Sequence, residues 1–236
     1  MALEAVGSNP ITHPISSDLS GRSFFLYSLD LSLKIVYTNF IGNRNGAETE
    51  VCMNNGNTKK VNRFSLTPDY VFDTYLDITP EFLSSLGIKA LLIDIDNTLA
   101  PYEQPLPDEK MIEWFASLKK NEIKASLISN NHKERVELFN SLLHLPAYPD
   151  SKKPCVRILR EAIEKMGAEP RETAGLGDQL LTDTLAAHRL GTISLIVPPI
   201  KDKLTPFFRF KRWLERPFMK KYYRIHNDNS KKGKNI

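Results

Sequence analysis

The chain has 236 residues, of which 41% are hydrophobic and 25% charged, an ordinary globular balance that suffices for one domain with appendages or two small domains. With Cys52 and Cys155 as its only cysteines and no Cys/His cluster, the composition excludes a disulfide framework and a zinc site, and both cysteines are expected as free thiols in a reducing compartment. The net charge of +4 conceals an asymmetry: residues 201–236 carry 12 Lys/Arg against 3 Asp/Glu, or +9, which leaves −5 for the 200 residues before them. A basic end on a slightly acidic body points to a polyanionic partner surface.

Residues 1–62 form a variable N-terminal extension, rich in Ser, Asn and Gly. Their turn signals are Asn9-Pro10, Asn45-Gly46 and Asn55-Gly56. Alternation of Phe25, Tyr27, Leu29, Leu31, Leu33, Ile35 and Tyr37 with Leu26, Ser28, Asp30, Ser32, Lys34 and Val36 has a strand period. It suits a hairpin, an added edge strand or a disordered leader. Met53 marks an alternative start. No stretch offers the roughly 20 mostly apolar residues of a membrane span. Phe24 to Ile41 contains Asp30 and Lys34 and lacks the basic start of a secretory signal. A cytoplasmic location follows as the expectation.

Residues 63–200 read as the main domain. Thr79, Pro80 and Glu81 form a helix start, with Thr79 as N-cap, and Gly87 is its stop. Ala90-Leu91-Leu92-Ile93 is an apolar run that suits a strand buried on both faces. It leads into Asp94, Ile95, Asp96, Asn97 and Thr98. After the Pro-rich loop 101–107, Asp108 opens a helix with Met111, Ile112, Trp114, Phe115 and Leu118 on one side. A strand over 123–128 ends at Ser129-Asn130-Asn131. A helix over 132–143 uses Val136, Phe139, Leu142 and Leu143. A loop with Lys152, Lys153 and Pro154 precedes a helix over 156–166. A strand over 173–176 ends in Gly177-Asp178, a helix over 184–190 stops at Gly191, and a last strand spans 192–197. Strands and helices alternate with short links, which predicts an α/β fold, a parallel sheet with helices on both faces.

Asp94 and Asp96 would sit at the C-terminal end of their strand, where open α/β sheets bind ligands. Two close carboxylates repel unless a cation or a polarised pairing relieves them. Right-handed crossovers bring Asp94, Asp96, Thr98, Ser129, Asn130, Lys153, Asp178 and Asp183 to one edge. This inventory fits phosphoryl transfer. Carboxylates bind Mg²⁺, Lys and Ser hold phosphate oxygens, and an Asp can form an aspartyl-phosphate. A Ser-His-Asp hydrolase lacks its Gly-x-Ser-x-Gly elbow here, and no P-loop is present. His132, His144 and His188 show no catalytic spacing and are expected as surface or helix residues. Taken singly, each motif has a plainer use as a turn, a cap or a surface charge; Asp183, for instance, suits a helix N-cap.

The order Asp-x-Asp-x-Thr, Ser, Lys-Pro and Gly-Asp-x-x-x-x-Asp resembles the haloacid dehalogenase (HAD) superfamily of phosphatases, over roughly 66–200. More narrowly, IDIDNTLAPYE, LISNNHKERV, KKP, GLGDQLLTDTLAAHRLG and IVPPI resemble the YqeG-like group, which is similar to phosphatidylglycerophosphate phosphatases. The resemblance implies a Rossmann-like HAD fold with Asp94 as nucleophile and Asp96 as general acid/base. It implies Mg²⁺ held by the Asp94 carboxylate, the Asp96 main-chain carbonyl and Asp178. Ser129, with the Asn130 backbone, would bind the phosphoryl group and Lys153 would offset its charge. Asp183 would support the metal or orient Lys153. Lys153 is chosen over Lys152 because it precedes Pro154.

The intervals from Thr98 to Ser129 and from Ser129 to Lys153 are too short for an inserted cap domain, so an open site is expected. Such a site suits a phospholipid headgroup or a phosphorylated macromolecule. Residues 201–236 interleave Phe207, Phe208, Phe210, Trp213, Phe218, Tyr222 and Tyr223 with basic residues, which suits a peripheral contact with an anionic membrane. Pro206 and Pro217 argue against one unbroken helix there, and a disordered end is expected from Asn227. The substrate implied is phosphatidylglycerophosphate; a soluble or macromolecular phosphomonoester is the alternative. A different class of function, an RNA- or ribosome-associated binding module with little catalysis that uses the same rings and cations, is the remaining one.

Overall fold

The structure is a computed structural model that describes residues 48–52, 58–62, 64–201 and 205–232. Within the expected N-terminal extension, β1 (Glu48–Cys52) and β2 (Thr58–Asn62) pair as an antiparallel hairpin. The Asn55-Gly56 turn and the alternating stretch 25–37 lie outside the described residues.

The main sheet is built from β3 (Tyr70–Val71), β4 (Ala90–Ile93), β5 (Lys124–Ile128), β6 (Ala147–Tyr148), β7 (Thr173–Gly177) and β8 (Ile193–Ile196). All pairings are parallel, in the order β3-β8-β7-β4-β5-β6. The connecting helices are α1 (Pro80–Ser85), α2 (Glu109–Lys120), α3 (Lys133–Asn140), α4 (Arg157–Lys165) and α5 (Leu185–Leu190). A final helix, α6, spans Pro206–Lys232. The expected parallel α/β architecture is therefore what the chain adopts.

Local chemistry explains the helix limits. The Thr79 hydroxyl accepts from Phe82 N at 3.2 Å, with Pro80 in the first turn. The Asp108 carboxylate accepts from Met111 N at 2.9 Å. Gly191 follows α5 at φ 81, a left-handed conformation that glycine adopts without strain.

Alternate side chains of β4 face opposite layers. Leu91 and Ile93 pack with Trp114, Val136 and Phe139. Ala90 and Leu92 pack with Leu159, Ile163 and Ala186. The sheet is covered on both faces, so the central strand β4 is apolar and buried throughout.

Several details depart from expectation. The two-residue strands β3 and β6 are too short to show a period. Ile112 is exposed at the margin of its helix's apolar face, and Leu142 is exposed in the turn beyond α3, which stops at Asn140. His188 lies in a helix but is buried, its ring against Asp69 Oδ2 at 2.9 Å and Ser65 O at 2.7 Å. It ties the segment before β3 to the core. The helix α6 continues through Pro217 and beyond Asn227 to Lys232. Pro217 lacks the N–H that would reach the Trp213 carbonyl, and both residues are exposed, so water can take that carbonyl.

One face of α6 docks on the domain. Leu214 and Phe218 pack against Leu66, Leu181 and Leu185. The buried Tyr222 hydroxyl accepts from Val71 N at 3.1 Å and so holds β3. Tyr222→Phe leaves that N–H unpaired and is expected to cost about 1 kcal/mol. Chemical denaturation should record the loss, and hydrogen exchange should show the Val71 amide opening faster.

Candidate active site

The strand register assembles the site. Ile93 of β4 lies beside Leu127 of β5 and Leu176 of β7. Asp94, Ser129 and Asp178 therefore emerge together at the C-terminal edge. The chain leaves β4 for β5 and β6, then returns to β7 on the other side of β4, so this is also where the strand order reverses.

After β4 the backbone turns tightly around the Ile95 carbonyl, which accepts from Thr98 N, Leu99 N and Ala100 N. Asn97 takes φ 66, a conformation that asparagine tolerates better than most residues. The turn carries the Thr98 hydroxyl back to Asp94 Oδ2, at 3.3 Å. Lys153 Nζ lies 2.6 Å from Asp94 Oδ1 and 2.7 Å from Asp183 Oδ1. Lys152 is exposed.

Asn130 acts on the Lys153 loop through its side chain. Its Oδ1 accepts from Lys153 N at 2.7 Å and from Ser151 Oγ at 2.9 Å, and its Nδ2 donates to Lys153 O at 3.1 Å. Ser129 is buried, and its hydroxyl accepts from Asn131 N at 3.0 Å.

Asp183 sits in a π-helical turn, Leu180–Thr184, that leads into α5. Its Oδ2 accepts from Gln179 N at 3.1 Å, so it closes its own turn while pairing with Lys153. A β-carbon on Gly177 would lie 2.3 Å from Asp183 Cγ. The glycine is thus required by close approach.

Asp94, Asp178 and Asp183 are buried, with one carboxylate oxygen from each lying within 4.8 Å of the others. Burial pushes the Asp94 carboxyl up to about 8; Lys153 opposes the shift, while Asp183 and Asp178 add to it. Burial also raises Asp178, to about 6, with Arg212 opposing and Asp183 adding. Burial works against the charge on Lys153, but Asp183 and Asp94 outweigh it and raise its pKa. Fully ionised, the three carboxylates would outnumber Lys153 and Arg212, and an all-oxygen donor set of this kind fits a hard divalent cation.

The Asp96 carboxylate stands outside the trio. Arg135 Nη2 lies 3.2 Å from Asp96 Oδ1, and Asn131 Nδ2 donates to Oδ2 at 3.0 Å. The carboxylates that converge as a group are therefore those of Asp94, Asp178 and Asp183, while the Asp96 side chain is held by Arg135 and Asn131. Arg135 and Asn131 carry no spacing signal of their own, although Asn131 adjoins a residue already singled out.

The helix α6 also enters the site. Arg212 pairs with Asp178 Oδ2, donates to the Asp178 carbonyl at 2.7 Å and reaches Glu215 Oε2 at 2.9 Å. Glu215 Oε1 accepts from Leu180 N at 2.8 Å and Leu181 N at 3.2 Å. A cleft of about 300 Å³ results, lined by Asp94, Asp96, Ser129, Lys153, Phe208 and Lys211 among others. Tyr102 borders it too, and burial with nearby Asp178 and Asp96 raises its phenol pKa, which leaves a neutral donor.

A family model for haloacid dehalogenase-like hydrolases matches residues 81–191. The probable phosphatase YqeG of Bacillus subtilis (strain 168) is 34% identical over 149 residues, which cover 63% of this chain and 87% of that protein. The chain belongs to the haloacid dehalogenase-like hydrolases. Within this family it is a phosphatase of the YqeG type. Among solved structures, a HAD family enzyme from Bacteroides thetaiotaomicron, a magnesium complex, is 16% identical over 52% of this chain and 99% of its own, with a TM-score of 0.40. A 3-deoxy-D-manno-octulosonate 8-phosphate phosphatase from Moraxella catarrhalis is 14% identical over 60% of this chain and 93% of its own, with a TM-score of 0.36.

Gly177→Ala drives a methyl group into Asp183 and is expected to cost about 1–3 kcal/mol. With Asp183→Gly in the same chain the clashing side-chain atoms, the Asp183 Cβ at 2.4 Å included, are gone. Denaturation of the two single variants and the double variant should therefore be clearly non-additive, the double being little less stable than Asp183→Gly alone.

Proposed function

We propose that this HAD phosphatase is a Mg²⁺-dependent phosphomonoesterase that works through an aspartyl-phosphate and acts on phosphatidylglycerophosphate. The observation that carries the chemistry is the buried Asp94 carboxylate, in contact with Lys153 and within reach of Asp178 and Asp183. The carboxylates of Asp94 and Asp178, with Asp183 beside them and the Asp96 main-chain carbonyl, would hold Mg²⁺. When bound, the ion supplies positive charge to the transferring phosphoryl group.

Asp94 attacks phosphorus, and the bond to the leaving alkoxide breaks. Asp96, oriented by Arg135 and Asn131, gives that alkoxide its proton. Asp96 then takes a proton from water as the water attacks the aspartyl-phosphate, and phosphate leaves with Asp94 regenerated. Lys153 balances charge on Asp94, and the Ser129 hydroxyl bonds a phosphoryl oxygen. Asn130 is a positioning residue for Lys153.

Two features support a lipid substrate at a membrane surface. The cleft is at the lower end of the about 300–1,000 Å³ usual for small ligands, room for a headgroup with the acyl chains left outside. The outward face of α6 presents Phe210 stacked on Trp213 with centroids 5.9 Å apart, beside the exposed Arg209, Arg216, Lys220, Lys221 and Arg224. Rings and cations so placed suit an anionic interface. Among the described residues no helix is long and apolar enough to cross a membrane, so the contact would be peripheral, on a cytoplasmic face. The cleft volume also admits a soluble phosphomonoester, which is the second candidate.

Phosphate release from phosphatidylglycerophosphate and from soluble phosphomonoesters decides between the two. Release should require Mg²⁺, stop on chelation and fall to background in Asp94→Asn; a variant that keeps turning over would remove Asp94 as nucleophile. Sedimentation with vesicles containing anionic lipid should fall when Arg209, Arg216, Lys220 and Lys221 become Gln, by roughly 1 kcal/mol for each charge that lies at the surface. Unchanged sedimentation would rule out this face.

A further inference from the structure

On the phosphomonoesterase reading above, we infer that Lys211 forms a second anion subsite beside the phosphoryl centre, selecting phosphomonoesters that carry a further acidic group. Lysine is seldom buried so fully, yet Lys211 is 7% exposed and borders the same cleft as Asp94, Ser129 and Lys153. The charge beside the nucleophile is already supplied by Lys153, which spans Asp94 and Asp183. Lys211 reaches the cleft from a different element.

Its placement is rigid. The next residue, Arg212, is bonded to the Asp178 carbonyl and carboxylate. Glu215, one turn on, takes the N–H groups of Leu180 and Leu181. Leu214 and Phe218 are packed into the domain. A side chain carried on a helix held at so many points has its reach fixed by the fold. Phe208, three residues earlier on the same helix face, sets its ring 5.9 Å from Lys211 Nζ and closes that side of the cleft with an apolar wall. The ligand that matches is a phosphomonoester whose next functional group is itself anionic, such as a phosphodiester or a carboxylate. A phosphomonoester with no second acidic group makes no contact of this kind with Lys211.

The test uses full-length Asp94→Asn protein, so that binding is read without turnover. Calorimetric affinities are compared for glycerol 1-phosphate and for glycerophosphoglycerol phosphate, the deacylated headgroup that adds a phosphodiester. With Lys211 present the second probe should bind roughly tenfold or more tightly, the worth of a hydrogen bond to a charged group. Lys211→Met should abolish that preference while leaving glycerol 1-phosphate affinity within about twofold, and Lys211→Arg should restore most of it. Equal loss on both probes would assign Lys211 to the shared monoester and overturn the subsite, as would no loss on either. If Lys211→Met does not fold, Lys211→Gln against Lys211→Arg makes the same comparison. Failure of the wild-type chain to release phosphate from any ester would defeat the phosphatase mechanism, while the binding comparison would still decide Lys211.

Discussion

Buried negative charge is the constraint around which the upper edge of the sheet is arranged. A carboxylate taken out of water without a partner is too costly to keep ionised, and here Asp94, Asp178 and Asp183 converge. The chain meets the cost with cations from distant elements. Lys153 spans two of the three acids, and Arg212 takes the third. Asn130 holds the Lys153 loop and Glu215 holds the turn after Asp178, so the polar scaffold serves the cations as much as the acids. Asp96, kept apart on Arg135 and Asn131, has an environment unlike that of Asp94. Carboxylates with separate surroundings can take separate chemical roles.

The reversal of strand order at β4 makes this convergence geometrically direct. Each parallel strand delivers its next residue to the same edge, and the two neighbours of β4 deliver Ser129 and Asp178 to either side of Asp94. The apolar layers below set the register, because a slip of one residue would exchange the sets that face the two cores.

The sequence shows those parts of the site whose signals are local. An apolar run ending in Asp94, a lysine before a proline, and Gly177-Asp178 with Asp183 five residues on all lie at the ends of recognisable elements. The helix caps at Thr79 and Asp108 are local in the same sense. What stays hidden depends on contacts between elements. Arg212 meets Asp178 across 34 residues and Arg135 meets Asp96 across 39, distances over which no spacing rule operates. The strands β3 and β6 depend on neighbours rather than on period. Counting charges also merges what the helix separates. In α6, Lys211 and Arg212 turn inward while Arg209, Arg216, Lys220 and Lys221 turn outward, so the basic segment is two surfaces rather than one.

The pairing of Arg212 with Asp178 also has a consequence in time. Synthesis runs from the N-terminus, so the parallel sheet and all three acids of the trio are made before α6. Until that helix arrives, Asp178 has no guanidinium, the turn at Leu180 and Leu181 has no carboxylate beneath its N–H groups, and the cleft has no wall at Phe208 and Lys211. The fold of the sheet can be nearly complete while this cleft is not, because α6 supplies its remaining wall.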